Sequence, residues 1–216
     1  MKYELIIFDC DGVLVDSERL VNRITAAFFS ERGLPVEADA LRAMFKGKTM
    51  ADVARWAETA TQPPLNADWF YELGIATAQG FQRELQPVEG VRPVLDLLTA
   101  RGGKLCVASQ SPPARLMLSL TVTGLDVFFG GHAYSAAQVA RPKPAPDLFL
   151  HAARRMGASP ERCAVVEDSR SGVLAARAAG MTVYGYAADE APDTLTEAGA
   201  IVFESMAQLP HLLCAG

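Results

Sequence analysis

The run Leu5-Ile6-Ile7-Phe8 closes on Asp9-Cys10-Asp11-Gly12, and this junction constrains the chain more than any other stretch. Four consecutive apolar residues read as a short strand buried on both faces. Two carboxylates separated by one residue then end it. Side chains alternate along a strand, so Asp9 and Asp11 lean to one side and Cys10 to the other. Like charges held that close repel, and a fold that keeps them recruits a cation, shares a proton, or both. Taken alone, the stretch also fits a tight turn, since Asp and Gly are ordinary turn residues.

From Pro87 onward, short apolar runs alternate with helical patterns. Strands are expected at Lys104-Leu105-Cys106-Val107-Ala108, ending at Ser109, and at Val127-Phe128-Phe129. Others are expected at Ala164-Val165-Val166, ending at Glu167-Asp168, at 182–186, and at 200–203. Helices are expected over 91–98, 113–120, from Lys143-Pro144 to Met156, and over 169–179. This rhythm implies an α/β fold, a Rossmann-like parallel sheet with helices on both faces. The stretch after the first strand breaks it. Leu20, Val21, Ile24, Ala27 and Phe28 recur at helical spacing up to Gly33 and Pro35; a second pattern runs through Val53, Trp56 and Ala57, and a third from about Ala67 to Leu85. Nothing there alternates like a strand. The expectation is an all-helical cap domain at 16–86 inserted into a catalytic core of 1–15 and 87–216.

The chain has 216 residues, 50% hydrophobic and 21% charged, which suits a globular protein with a real core. A formal net charge of −5 argues against a nucleic-acid partner, which would favour a basic face. No apolar run reaches the roughly 18 residues of a membrane span, and Met1-Lys2-Tyr3-Glu4 does not open a signal-peptide pattern. Cys10, Cys106, Cys163 and Cys214 are scattered, without a CxxC pair. A reduced, cytoplasmic protein without a disulfide or zinc framework is expected, as a monomer or weak homo-oligomer.

In open α/β sheets, ligands bind beyond the carboxyl ends of the strands. Asp9 and Asp11 end the first expected strand, Ser109 the second, and Glu167 and Asp168 the fourth, with Lys143 just ahead of it. Singly, each has a plain alternative: Ser109 a turn residue, Lys143 a solvated lysine, Glu167-Asp168 a helix cap. Their convergence at matching strand ends favours a site. Four carboxylates without a Cys–His cluster make an oxygen-ligand site suited to Mg²⁺. A hydroxyl and an ammonium beside that cation hold a phosphoryl group. One Asp can attack phosphorus, and the other can protonate the leaving oxygen and then take a proton from water.

These residues resemble the haloacid dehalogenase-like hydrolases over essentially the whole chain. Asp9-Cys10-Asp11-Gly12-Val13-Leu14-Val15-Asp16-Ser17 is similar to the family's first motif and Ser109 to its second. Lys143-Pro144-Ala145-Pro146-Asp147 resembles the third, and Glu167-Asp168-Ser169-Arg170-Ser171-Gly172-Val173-Leu174-Ala175-Ala176 the fourth. The resemblance implies Asp9 as nucleophile, Asp11 as acid/base, and Ser109 and Lys143 as phosphate ligands. It implies Mg²⁺ held by Asp9, Asp168 and the backbone carbonyl of Asp11, with Glu167 a direct or indirect ligand. The helical insert would be the small cap of the subgroup that includes sugar-phosphate phosphatases and β-phosphoglucomutase.

Two departures matter. The mutase carries a cap histidine five residues after the Asp matching Asp16, where this chain has Val21, so a phosphatase is favoured over a mutase. The residue after the second-motif Ser is commonly Asn; here it is Gln110, whose longer amide can still reach a phosphate. In the loop Lys46-Gly47-Lys48-Thr49, Lys46 is expected to bind substrate, against the alternatives of a Schiff-base lysine or a solvated loop. The expected partner is a small phosphorylated metabolite, a sugar or sugar-acid phosphate. The remaining alternative is a non-catalytic protein that keeps the site for binding a phospho-ligand.

Overall fold

The computed structural model describes residues 2–45, 50–60 and 65–214. The chain divides into two compact units, Met1–Asp16 with Gln86–Gly216, and Ser17–Leu85.

The first unit carries β1 (Leu5–Phe8), then, after the second unit, α5 (Val91–Ala100), β2 (Lys104–Ser109), α6 (Pro113–Val122) and β3 (Ala133–Ser135). It continues with α7 (Asp147–Met156), β4 (Cys163–Glu167), α8 (Arg170–Ala178), β5 (Thr182–Tyr186), α9 (Pro192–Glu197), β6 (Ile201–Phe203) and α10 (Leu209–Cys214). The strands form one parallel sheet in the order β3-β2-β1-β4-β5-β6. Burial on both faces explains their near-continuous apolar composition. Leu5, Ile7, Cys106, Ala108, Val165 and Val183 face one core with Leu148, Phe149 and Ala152 of α7 and Val173 and Ala176 of α8. The alternate residues Ile6, Phe8, Val107, Ala164 and Val166 are equally buried on the other face. There Phe8 meets Phe129 edge-on, and the Tyr184 hydroxyl donates to the Leu212 carbonyl on α10 at 2.9 Å.

Register places the site. Phe8 pairs with Val107 on one side and Val166 on the other, so Asp9 leaves β1 level with the ends of β2 and β4. The two connections to the second unit run side by side: Val15 bridges Pro87, and the Asp16 N–H donates to the Gln86 carbonyl at 3.0 Å.

One expected strand is corrected. Val127-Phe128-Phe129 lies in and beside a 3₁₀ turn, Asp126–Phe128; the edge strand is Ala133–Ser135. Three apolar residues are too few for periodicity to separate a strand from a plug. Val127 is 73% exposed while Phe129 is buried against Phe8.

The second unit is helical: α1 (Glu18–Ser30), α2 (Ala38–Phe45), α3 (Met50–Ala60) and α4 (Trp69–Glu84). The short α2 was not anticipated from periodicity; among its described side chains, Leu41 is the buried one that joins the core of this unit. Phe29 is the centre, fully buried, with its ring 5.5 Å from Trp56 and 5.8 Å from Trp69. Gly80 lets α4 approach α1, since a Cβ there would overlap the Ile24 side chain. Arg32, just past the end of α1, pairs with Glu72 of α4 at 2.7 Å. The expected Lys46-Gly47-Lys48-Thr49 loop lies outside the described residues. Among the described residues, no helix is long and apolar enough to cross a membrane.

Phe29→Ala removes the ring on which Phe28, Trp56 and Trp69 close. We expect a loss of about 3–5 kcal/mol from the helical unit, read as an earlier urea transition. A loss under about 1 kcal/mol would show that this ring does not organise the unit.

Candidate active site

β1 emerges between two neighbours, so whatever follows Phe8 is pressed between their ends. The Asp9 N–H donates to the Val166 carbonyl at 2.9 Å, which holds its backbone in line with the sheet. Asp9 is buried, at 7% exposure. Lys143, ahead of α7, reaches into the same space. Its Nζ donates to Asp9 Oδ1 at 2.5 Å, to Glu167 Oε1 at 2.7 Å and to the Ala108 carbonyl at 3.1 Å. This lysine is buried, so the reading of a solvated side chain does not apply.

At the end of β4, Glu167 uses its second oxygen. Oε2 accepts from the Ser169 N–H at 2.7 Å and from the Ser169 hydroxyl at 2.9 Å. The cap of α8 is Ser169, whose Oγ accepts from the Gly172 N–H at 3.1 Å, rather than Glu167 or Asp168. Gly172 must be glycine because a Cβ would overlap the Glu167 carboxylate. Gly12, at φ 82°, is constrained twice: by its left-handed backbone and by the Asp168 carboxylate, which a Cβ would also overlap. The chain from Cys10 to Val15 does turn tightly, with the Leu14 and Val15 N–H groups both donating to the Cys10 carbonyl. The turn and the site are the same segment.

Asp9, Glu167 and Asp168 each offer an oxygen, all within 4.8 Å of one another. Asp11 points elsewhere. Its Oδ2 accepts from the Ser111 hydroxyl at 2.7 Å and its Oδ1 from Arg115 Nη2 at 3.3 Å. Ser109 is buried at the end of β2, with its Oγ accepting the Ser111 N–H at 3.0 Å. Gln110 follows it, exposed. Lys46 lies outside the described residues. Sequence reasoning missed Ser111 and Arg115, although both follow a strand's carboxyl end, where the fold places its ligands.

The electrostatics show what the cluster lacks. Burial raises the Asp9 pKa to about 7; Lys143 opposes that rise, and Glu167 adds to it. Asp168 is pushed well above its ordinary value by burial, then by the charges of Glu167 and Asp9. For Lys143, burial disfavours the charge, but Asp9 and Glu167 outweigh it and raise the pKa. One ammonium does not neutralise three crowded carboxylates. The oxygen-only donor set and its surplus negative charge fit a hard divalent cation, with no thiolate or imidazole in the cluster to favour zinc.

The family model for haloacid dehalogenase-like hydrolases matches residues 3–180. The 6-phosphogluconate phosphatase of Escherichia coli (strain K12) is 30% identical, over 98% of this chain and 95% of that protein. The fructose-1-phosphate phosphatase of the same strain is 30% identical over 83% of this chain and 94% of its own length. A solved haloacid dehalogenase-family hydrolase from Deinococcus radiodurans R1, with bound phosphate and sodium, is 32% identical with a TM-score of 0.83. That likeness covers 98% of this chain and 95% of the solved one.

The raised Asp9 pKa makes stability depend on pH in the absence of divalent cations. The folded state holds a proton on Asp9 up to about pH 7, whereas an unfolded Asp releases it near 3.9. Between those limits the folded state binds the extra proton, so stability falls as pH rises. In EDTA, urea unfolding should show on the order of 2 kcal/mol less stability at pH 7 than at pH 5. Equal or greater stability at pH 7 would contradict this electrostatic picture.

Proposed function

The chain belongs to the haloacid dehalogenase-like hydrolase family and is a phosphatase, and we propose that it hydrolyses a sugar or sugar-acid phosphate with Mg²⁺, through an aspartyl-phosphate on Asp9. The observation that carries this reading is the placement of Asp9. It stands at the end of the central strand, one oxygen fixed by Lys143, beside Glu167 and Asp168 and two residues before Asp11.

Asp9 attacks phosphorus, forming one P–O bond as the ester P–O bond breaks. Asp11 gives its proton to the departing sugar oxygen, then takes one from the water that attacks the phosphorylated Asp9 at phosphorus. That second displacement releases phosphate and restores both carboxyls. Lys143 keeps Asp9 aimed and offsets negative charge as the phosphoryl group arrives. The Ser109 hydroxyl and the Gln110 amide take phosphoryl oxygens. Asp9, Asp168 and the Asp11 backbone carbonyl would hold Mg²⁺, with Glu167 as a further ligand or a support. Bound there, Mg²⁺ supplies the positive charge that keeps Asp9 ionised beside an anionic substrate.

We assign substrate choice to the helical unit Ser17–Leu85 and to Lys46 in its sequence. The mutase alternative meets an apolar Val21 where the resemblance calls for histidine. The binding-only alternative gives no reason for the Asp9 and Asp11 pair. The sugar and sugar-acid assignment draws on the two bacterial relatives, whose names specify 6-phosphogluconate and fructose 1-phosphate.

The test is phosphate release from a panel of sugar phosphates and sugar-acid phosphates, in Mg²⁺ and in EDTA, with Asp9→Asn as control. We expect turnover only with Mg²⁺, and a loss of roughly 10³-fold or more in the variant with its circular dichroism unchanged. Near-normal turnover by Asp9→Asn would remove Asp9 as nucleophile. Conversion of hexose 1-phosphate to hexose 6-phosphate would establish the mutase instead.

A further inference from the structure

Asp11 is held at both carboxylate oxygens by one short segment. Ser111 Oγ donates to Oδ2 at 2.7 Å, and Arg115 Nη2 to Oδ1 at 3.3 Å. Ser111 is itself fixed from two sides. Its N–H donates to Ser109 Oγ at 3.0 Å, and its carbonyl accepts from Ser135 Oγ, at the end of β3, at 2.7 Å. Ser111 and Ser135 are both buried. Two different cations thus serve the two aspartates, Lys143 on Asp9, which it shares with Glu167, and Arg115 on Asp11.

The outer torsion of an Asp side chain is broad, so position alone does not aim its carboxyl. Ser111 and Arg115 fix that torsion through both oxygens, with Asp11 outside the cluster of Asp9, Glu167 and Asp168. We infer that Ser111 and Arg115 are positioning residues that hold the Asp11 carboxyl in the orientation from which it protonates the leaving-group oxygen. The inference rests on Asp11 as the acid/base of the proposed phosphatase. The Arg115 to Asp11 pair is about one-third exposed on both sides, at 32% and 31%. Such pairs contribute little to stability, so replacing Arg115 leaves a folded protein to assay.

Proton donation matters in proportion to how poor the leaving group is. A sugar alkoxide needs the proton, and p-nitrophenolate leaves without it. The ratio kcat/KM reports steps only up to release of the alcohol, so it excludes the later water attack that all esters share. The experiment compares wild type, Arg115→Met and Ser111→Ala on two alkyl esters, 6-phosphogluconate and fructose 1-phosphate, and on p-nitrophenyl phosphate. In each variant the alkyl-to-aryl ratio of kcat/KM should fall about 10-fold or more, a fraction of what a general acid contributes in full. Arg115→Lys, which keeps the charge, should recover part of it. A parallel fall on alkyl and aryl esters, or no fall on either, would overturn the positioning role. A wild type inert on all three esters would remove the proposed sugar and sugar-acid phosphate reading, and this inference with it.

Discussion

The structure depends on one buried ammonium. Lys143 Nζ sits among Asp9, Glu167 and the Ala108 carbonyl, and so joins β1, β4, β2 and the segment before α7 at one point. Removing charges from water costs several kcal/mol each, and only short, well-directed contacts offset it. The same Lys143 Nζ lies 4.8 Å from the ring centroid of Phe149, inside the core under α7. Core packing and site geometry are therefore not separable here. Moving Lys143 would disturb both.

Around that ammonium, backbone is brought against carboxylates wherever side chains would block it. Gly12 makes room for Asp168, and Gly172 for Glu167. The outcome is an acidic cluster with less positive charge than it needs, and burial raises Asp9 and Asp168 accordingly. A site left short of cationic charge attracts a cation. Asp11 escapes the crowding by turning to Ser111 and Arg115, which leaves the two aspartates of the first motif in different electrostatic surroundings. One lies in the buried acidic cluster beside Lys143, the other against a hydroxyl and a guanidinium.

Much of this was legible in the sequence because strand ends mark themselves. Leu5 to Phe8, Lys104 to Ser109 and Cys163 to Glu167 are apolar runs that stop at a polar residue, and the parallel sheet brings those stops to one edge. Lys143 was legible from its proline-flanked motif, though its burial was not, because the partners that stabilise the charge lie 134 and 24 residues away. The edge strand at Ala133 was missed because the apolar run before it supplies a core plug instead, through Phe129. Ser111 and Arg115 were missed because a loop serine and a first-turn arginine look like ordinary solvated residues until a carboxylate stands opposite them. The helix α2 gives too little periodic signal in eight residues.

If Asp9 itself bonds to phosphorus, as we propose, hydrolysis proceeds by two displacements. The stereochemical course, followed with a phosphate ester made chiral by oxygen isotopes, tests this without requiring the intermediate to accumulate. Two in-line displacements give retention of configuration at phosphorus, which is the expected result. Inversion would mean that water attacks the substrate directly, and it would contradict the role assigned to Asp9.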